Sequence, residues 1–190
     1  MLCTGMTLTG VAFCPVGHTL YLGDDTMDAT SAQIVDDQTL ISGLARTSRA
    51  HLYVTTGIES GQVSLRLCGH DTRPAPRTTD VDWKWEDVGE LSLLNPSSAL
   101  SVCYFTGVDD DSSPPCHSVR LPPSGDAMYR VRVHARGRDL FFGRHAEDPV
   151  ESYLIDVWPE PWSEPMMILR TSNYRFFGRA EGIPWNEGGK

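Results

Sequence analysis

Gln62-Val63-Ser64-Leu65-Arg66-Leu67-Cys68 decides the fold. Val63, Leu65 and Leu67 alternate with Ser64 and Arg66, and in an extended chain successive side chains point to opposite faces. One face is therefore apolar and the other polar, as in a half-buried strand. The pattern returns at Tyr129-Arg130-Val131-Arg132-Val133-His134-Ala135. Tyr129, Val131, Val133 and Ala135 share one face; Arg130, Arg132 and His134 share the other. The expected core thus holds Val63, Leu65, Leu67, Val131, Val133, Leu154 and Val157, with Arg130 and Arg132 outside.

Outward from these two strands the chain continues in short apolar runs. Met6–Phe13 and Thr19–Leu22 are separated by Pro15 and Gly17, and Leu40–Leu44 and His51–Thr55 follow. Gly57 and Gly61 bracket Ile58-Glu59-Ser60 and predict an antiparallel hairpin of the adjoining runs. Glu90–Leu94 and Leu100–Phe105 are joined through Asn95-Pro96-Ser97-Ser98, a sequence with turn chemistry. Glu151–Trp158 and Met166–Leu169 complete the set, while Arg73–Thr79 and Asp109–Pro115 are loops. No window of about 11 residues carries a capped helical stripe. The fold class is all-β, an antiparallel β-sandwich of about eight to ten short strands, with a closed barrel as the alternative. Residues 1–172 are expected to form the one domain. Residues 173–190 form a C-terminal tail, loosely ordered or docked through Phe176, Phe177 and Trp185.

Composition fits an ordinary globular chain. The 190 residues are 40% apolar and 22% charged, and a chain of this length buries roughly 70% of its unfolded surface without a disulfide or metal staple. Cys3, Cys14, Cys68, Cys103 and Cys116 are odd in number and scattered, so reduced thiols and a cytoplasmic location are expected. No stretch reaches the ~20 apolar residues of a membrane span. The formal charge of -9 repels phosphates, which argues against direct nucleic-acid binding. Asp24, Asp25, Asp28, Asp36 and Asp37 form one acidic block, and Asp80, Asp82, Glu86, Asp87 and Glu90 a second. Asp109, Asp110 and Asp111 form a third, and the stretch from Glu147 to Glu164 a fourth. The basic zone runs from Arg120 to Arg144.

Motifs for chemistry are sparse. Cys68-x-His70 and Cys116-His117 hold zinc-type residues at spacings unlike the usual Cys-x2-4-Cys or His-x3-5-His, so neither a metal nor a cofactor is expected. His70 reads as a solvated loop residue behind a core cysteine. Asp80-Val81-Asp82-Trp83-Lys84-Trp85-Glu86-Asp87 sets carboxylates among indoles. That composition suits a solvent-facing loop, a protein-binding hot spot or, at a distance, a glycosidase pair. There is no Gly-x-Ser-x-Gly elbow and no Gly-x-Gly-x-x-Gly cradle. The arginine row could meet phosphate, but a neighbouring acidic strand with Glu151 and Asp156 can pair it instead.

Several segments in order carry a family resemblance. They are Thr19-Leu20-Tyr21-Leu22-Gly23-Asp24, Trp85-Glu86-Asp87-Val88, Glu90-Leu91-Ser92, Leu121-Pro122-Pro123, Tyr129-Arg130-Val131-Arg132-Val133, Gly137-Arg138-Asp139, and Tyr153-Leu154-Ile155 with Trp158-Pro159. Over roughly residues 10–170 the chain resembles a group of uncharacterised bacterial β-domains akin to competence protein J, an inhibitor of a DNA-entry nuclease. The resemblance implies an acidic, non-catalytic inhibitor or immunity-type protein with a nuclease or toxin as its protein partner. It assigns no residue a role. The candidate contact surface drawn from the residues is Asp80, Asp82, Glu86 and Asp87 with Asp24, Asp25, Asp109, Asp110 and Asp111, anchored by Trp83 or Trp85. Two alternatives stand beside it. One is a small-molecule or carbohydrate-binding domain with a cavity lined by Trp83, Trp85 or Trp158. The other is a hydrolase using the Asp80–Asp87 carboxylates.

Overall fold

The computed structural model describes residues 7–14, 17–23, 38–40, 43–48, 50–77, 79–80, 83–102 and 117–173. Its strands are β1 (Thr7–Cys14), β2 (Thr19–Gly23), β3 (Gln38–Thr39), β4 (Ala45–Ser48), β5 (His51–Thr55), β6 (Ser60–Gly69), β7 (Thr79–Asp80) and β8 (Trp83–Lys84). They continue with β9 (Asp87–Leu94), β10 (Ala99–Val102), β11 (His117–Arg120), β12 (Met128–Arg136), β13 (His145–Ala146), β14 (Ser152–Pro159) and β15 (Met166–Arg170). The described residues contain no helix, and so none long and apolar enough to cross a membrane. The fold is all-β, two mainly antiparallel sheets that do not close into a barrel. Among the described residues there are 15 strands, more than the sequence pattern suggested, because several pair over only two residues.

The larger sheet runs β1-β6-β14-β12-β9-β15, with β13 added beside β6; the other runs β11-β10-β2-β5-β4-β3, and β7 and β8 pair separately. Alternation explains how they meet. Val63, Leu65 and Leu67 from β6, Val131 and Val133 from β12, and Ile155 and Val157 from β14 turn one face inward. They join Leu20, Leu22, Leu52, Val54 and Leu100 of the second sheet in one buried cluster. Leu40 and Leu44 also reach this core; neither lies in a strand, and Gly43 N–H donates to the Leu40 carbonyl (2.8 Å).

Two expectations need correction, and Leu154, buried as expected, lies on the other face of the sheet. β5 and β6 do not form a hairpin: they lie in different sheets, and Gly57 to Ser60 carries the chain across the sandwich. Leu154 lies three residues from Val157, an odd spacing that puts the two on opposite faces. It packs with Cys68, Trp85 and Val88 in a separate cluster. Arg130 and Arg132 do sit on the face opposite Val131 and Val133, but they are not outside. Both are buried, at 3% and 0% exposure.

Candidate functional site

The burial of that second face follows from register. Along one row across the larger sheet, Cys68 of β6 stands beside Asp156 of β14, Asp156 beside Arg132 of β12, and Arg132 beside Glu90 of β9. Opposite charges alternate along the row. Glu90 is fully buried and receives three guanidinium groups. Arg132 Nε and Nη2 both reach Oε1 at 2.7 Å, Arg73 Nη2 reaches Oε2 at 2.7 Å, and Arg130 Nε stands 3.4 Å from Oε2. The pairing partner is thus Glu90 on β9, not Glu151 or Asp156 on the following strand.

The same arginines fasten two chain segments over the sheet. Arg132 Nη1 donates to the Pro74 carbonyl (3.0 Å), while Arg130 donates to the carbonyls of Ser163 and Glu164 (both 2.8 Å). Trp158 lies beneath, with the Arg132 guanidinium 5.0 Å from its ring centre, and its indole N–H donates to Glu160. A buried guanidinium is tolerated when its donors are matched by a carboxylate and carbonyls.

Beside this ladder lies a second group. His70 Nε2 and Asp156 Oδ1 are 2.7 Å apart, both residues buried, and Cys68 Sγ completes a trio. His70 is therefore not the solvated loop residue expected. His134 is fully buried against Trp85, ring centres 5.4 Å apart, with Nδ1 3.1 Å from the Leu154 carbonyl oxygen. Burial pushes its pKa down to about 4, which outweighs the opposing pull of Asp156 and keeps the ring neutral at pH 7.

A different surface carries exposed apolar groups. Residues 137–144 form a turn that presents Leu140, Phe141 and Phe142 at 69%, 41% and 41% exposure. The turn is well anchored. Leu140 N–H donates to Gly137, Arg144 N–H to Phe141, and Gly143 N–H to Gly57. Arg138 is buried beneath it, with Nη1 2.7 Å from Asp87 Oδ2. A Cβ on Gly57 would overlap the Arg138 carbonyl oxygen, so only glycine allows the two segments to approach so closely. Phe142 stacks against His18, ring centres 5.9 Å apart.

The contact residues expected from sequence are dispersed. Asp24, Asp25, Asp82, Asp109, Asp110 and Asp111 lie outside the described residues, and Asp80 and Trp83 fall in β7 and β8 with their side chains undescribed. Glu86 is half-buried and accepts the Gly137 N–H at 2.8 Å. Trp85 and Asp87 are buried, at 5% and 0% exposure. Asp87 is held by Arg138 and by Ser172 Oγ at 2.5 Å. These two are structural and leave the contact surface. Asp87 is thus engaged by Arg138 and Ser172, and Trp158 is 1% exposed.

Charge is distributed unevenly. Among the described residues, Glu59, Asp71, Glu86, Asp126, Asp139, Glu147, Asp148, Glu160 and Glu164 reach the surface. They are matched in number by Arg46, Arg66, Arg73, Arg77, Lys84, Arg120, Arg136, Arg144 and Arg170. The described surface is thus balanced. The negative excess lies mainly in the base-free segments 24–37, 80–82 and 103–116.

Neither a protein-family model nor a curated protein matches the chain. Among solved structures it is similar to the crystal structure of ComJ, inhibitor of the DNA degrading activity of NucA, from Bacillus subtilis. The identity is 12%, the TM-score 0.43, and the match covers 82% of this chain and 99% of that chain. The likeness is a distant structural resemblance.

Proposed function

We propose that the chain acts by binding another protein, a nuclease or toxin, as an inhibitor or immunity-type protein without catalysis of its own. The observation that carries this reading is the Leu140-Phe141-Phe142 turn. Three consecutive large apolar side chains stand exposed on a backbone fixed by hydrogen bonds. Rigid aromatic groups of this kind anchor interfaces at low entropic cost. Arg130, Arg132 and Arg138, which could have met phosphate, are buried and already bound to carboxylates. Asp24, Asp25, Asp80, Asp82 and Asp109 to Asp111, with Trp83 and Glu86, supply the acidic rim in this proposal. A nuclease suits such a rim because its substrate cleft is basic, and opposite charges speed association.

The test immobilises the wild-type chain and a Phe141→Ser/Phe142→Ser variant side by side. The expected result is a nuclease retained by the wild type and lost from the variant, whose activity falls when wild-type chain is added. Equal retention, or a retained protein whose nuclease or toxin activity the chain does not lower, contradicts the reading. A chain ending at residue 173 should bind as the full chain does; loss there would move the contact to residues 174–190.

A further inference from the structure

Cys68, His70 and Asp156 converge on the second face of the larger sheet, and we propose that they bind a zinc-class divalent cation, independently of the partner surface. Cys68 and Asp156 are direct neighbours in the parallel pairing of β6 with β14. His70 lies two residues beyond Cys68, and its backbone N–H donates to the Val157 carbonyl at 2.8 Å, continuing the pairing. That placement brings its ring over Asp156. One ligand atom from each residue lies within 4.8 Å of the others, and all three side chains are buried.

A second observation points to a ligand. Asp156 Oδ2 is fully buried and, among the described residues, has no hydrogen-bond donor. His134 Nδ1 is 3.9 Å from it and instead meets the Leu154 carbonyl. Buried carboxylate oxygens are rarely left without a partner, and a bound ion is one of the groups that can satisfy one. Thr7 Oγ1, 3.8 Å from Cys68 Sγ, is placed to donate to a thiolate.

The donor set selects the metal. Thiolate, imidazole and carboxylate suit Zn²⁺ or Co²⁺, whereas Mg²⁺ and Ca²⁺ take oxygen donors. Cys68 releases its proton on binding, after which thiolate and Asp156 carboxylate together neutralise the dication. Three protein ligands leave the fourth tetrahedral position to water. The bound ion ties the 70–77 loop to β6 and β14, adding to the latch from Arg132 to Pro74.

The experiment titrates Co²⁺ into the reduced, metal-stripped chain and reads the thiolate-to-cobalt charge-transfer band in the near ultraviolet. It is repeated on a chain in which Cys3, Cys14, Cys103 and Cys116 are replaced by serine, leaving Cys68 as the sole thiol. The band is expected in both, displaced by one equivalent of zinc. Asp156→Asn should weaken cobalt binding at least about tenfold, and Cys68→Ser should abolish the band. Absence of the band from the wild type, its persistence in Cys68→Ser, or its loss from the four-serine chain overturns the proposal. The four-serine chain decides the assignment even where a substitution at buried Cys68 prevents folding.

Discussion

Glu151 is fully buried where the chain crosses between sheets. Its carboxylate accepts N–H groups from Gly57 (3.1 Å) and Ile58 (2.6 Å) and the hydroxyl of Tyr153. Burial raises its pKa above the ordinary carboxylate value, against the lowering effect of those hydrogen bonds and of Arg138. Between the ordinary value and the raised one, the unfolded chain has released the proton while the folded chain keeps it. Stability contributed by this group therefore falls as pH rises through that interval and is level above it. Glu151→Gln, which does not titrate, should remove this decline. Urea unfolding at stepped pH checks it, and parallel curves for the two chains would contradict it. Leu65, buried at 5% exposure on the inner face of β6, is a simpler case. Leu65→Ala should cost about 2–5 kcal/mol in urea unfolding, and a cost below about 1 kcal/mol would show that its site is not packed as described.

The ladder across β6, β14, β12 and β9 acts as a unit. Glu90→Gln leaves the guanidinium groups of Arg73, Arg130 and Arg132 around a neutral amide, and breaking a buried pair costs on the order of 3–5 kcal/mol. A midpoint shift in urea at constant slope measures this, and a cost near that of a surface ion pair would contradict it. How far sequence reveals such elements depends on distance along the chain. Period-two alternation placed Val63, Leu65, Leu67, Val131 and Val133 on the core face and the arginines opposite. It could not show that the opposite face is buried, because the cover comes from residues 70–77 and 160–165, which have no periodicity. Nor could it reveal the Cys68, His70 and Asp156 trio, since spacing rules search locally and the third residue stands 86 positions beyond His70. Leu140-Phe141-Phe142 did leave a signal. Three large apolar residues between Gly137 and Gly143 break every alternation, and they sit outside any strand. The expected Asp80–Asp87 surface was confounded by the chain's own demand for carboxylates: Asp87 is needed by Arg138.

At the scale of the molecule, the larger sheet has no free face in its middle strands. One side meets the second sheet and the other holds a charged layer under two latched segments. Among the described residues the exposed large apolar side chains are Leu140, Phe141 and Phe142, consecutive in the 137–144 turn, together with Trp162 and Met166. Phe141→Ser/Phe142→Ser should leave unfolding stability within about 0.5 kcal/mol for each position, as expected for surface sites. A larger loss would mean that the rings hold the fold together instead of a partner. Rim carboxylates and anchor rings should separate kinetically: the first govern association and its salt dependence, the second dissociation. The most direct measurement is surface plasmon resonance of the retained nuclease over wild type, the Phe141→Ser/Phe142→Ser variant and an Asp80→Asn/Asp82→Asn variant, at low and high salt. The account predicts a dissociation rate at least about 30-fold faster for the aromatic variant, equivalent to about 2 kcal/mol. It also predicts slower, less salt-dependent association for the amide variant. Equal dissociation rates for the wild type and the aromatic variant would contradict the claim that this turn is the anchor.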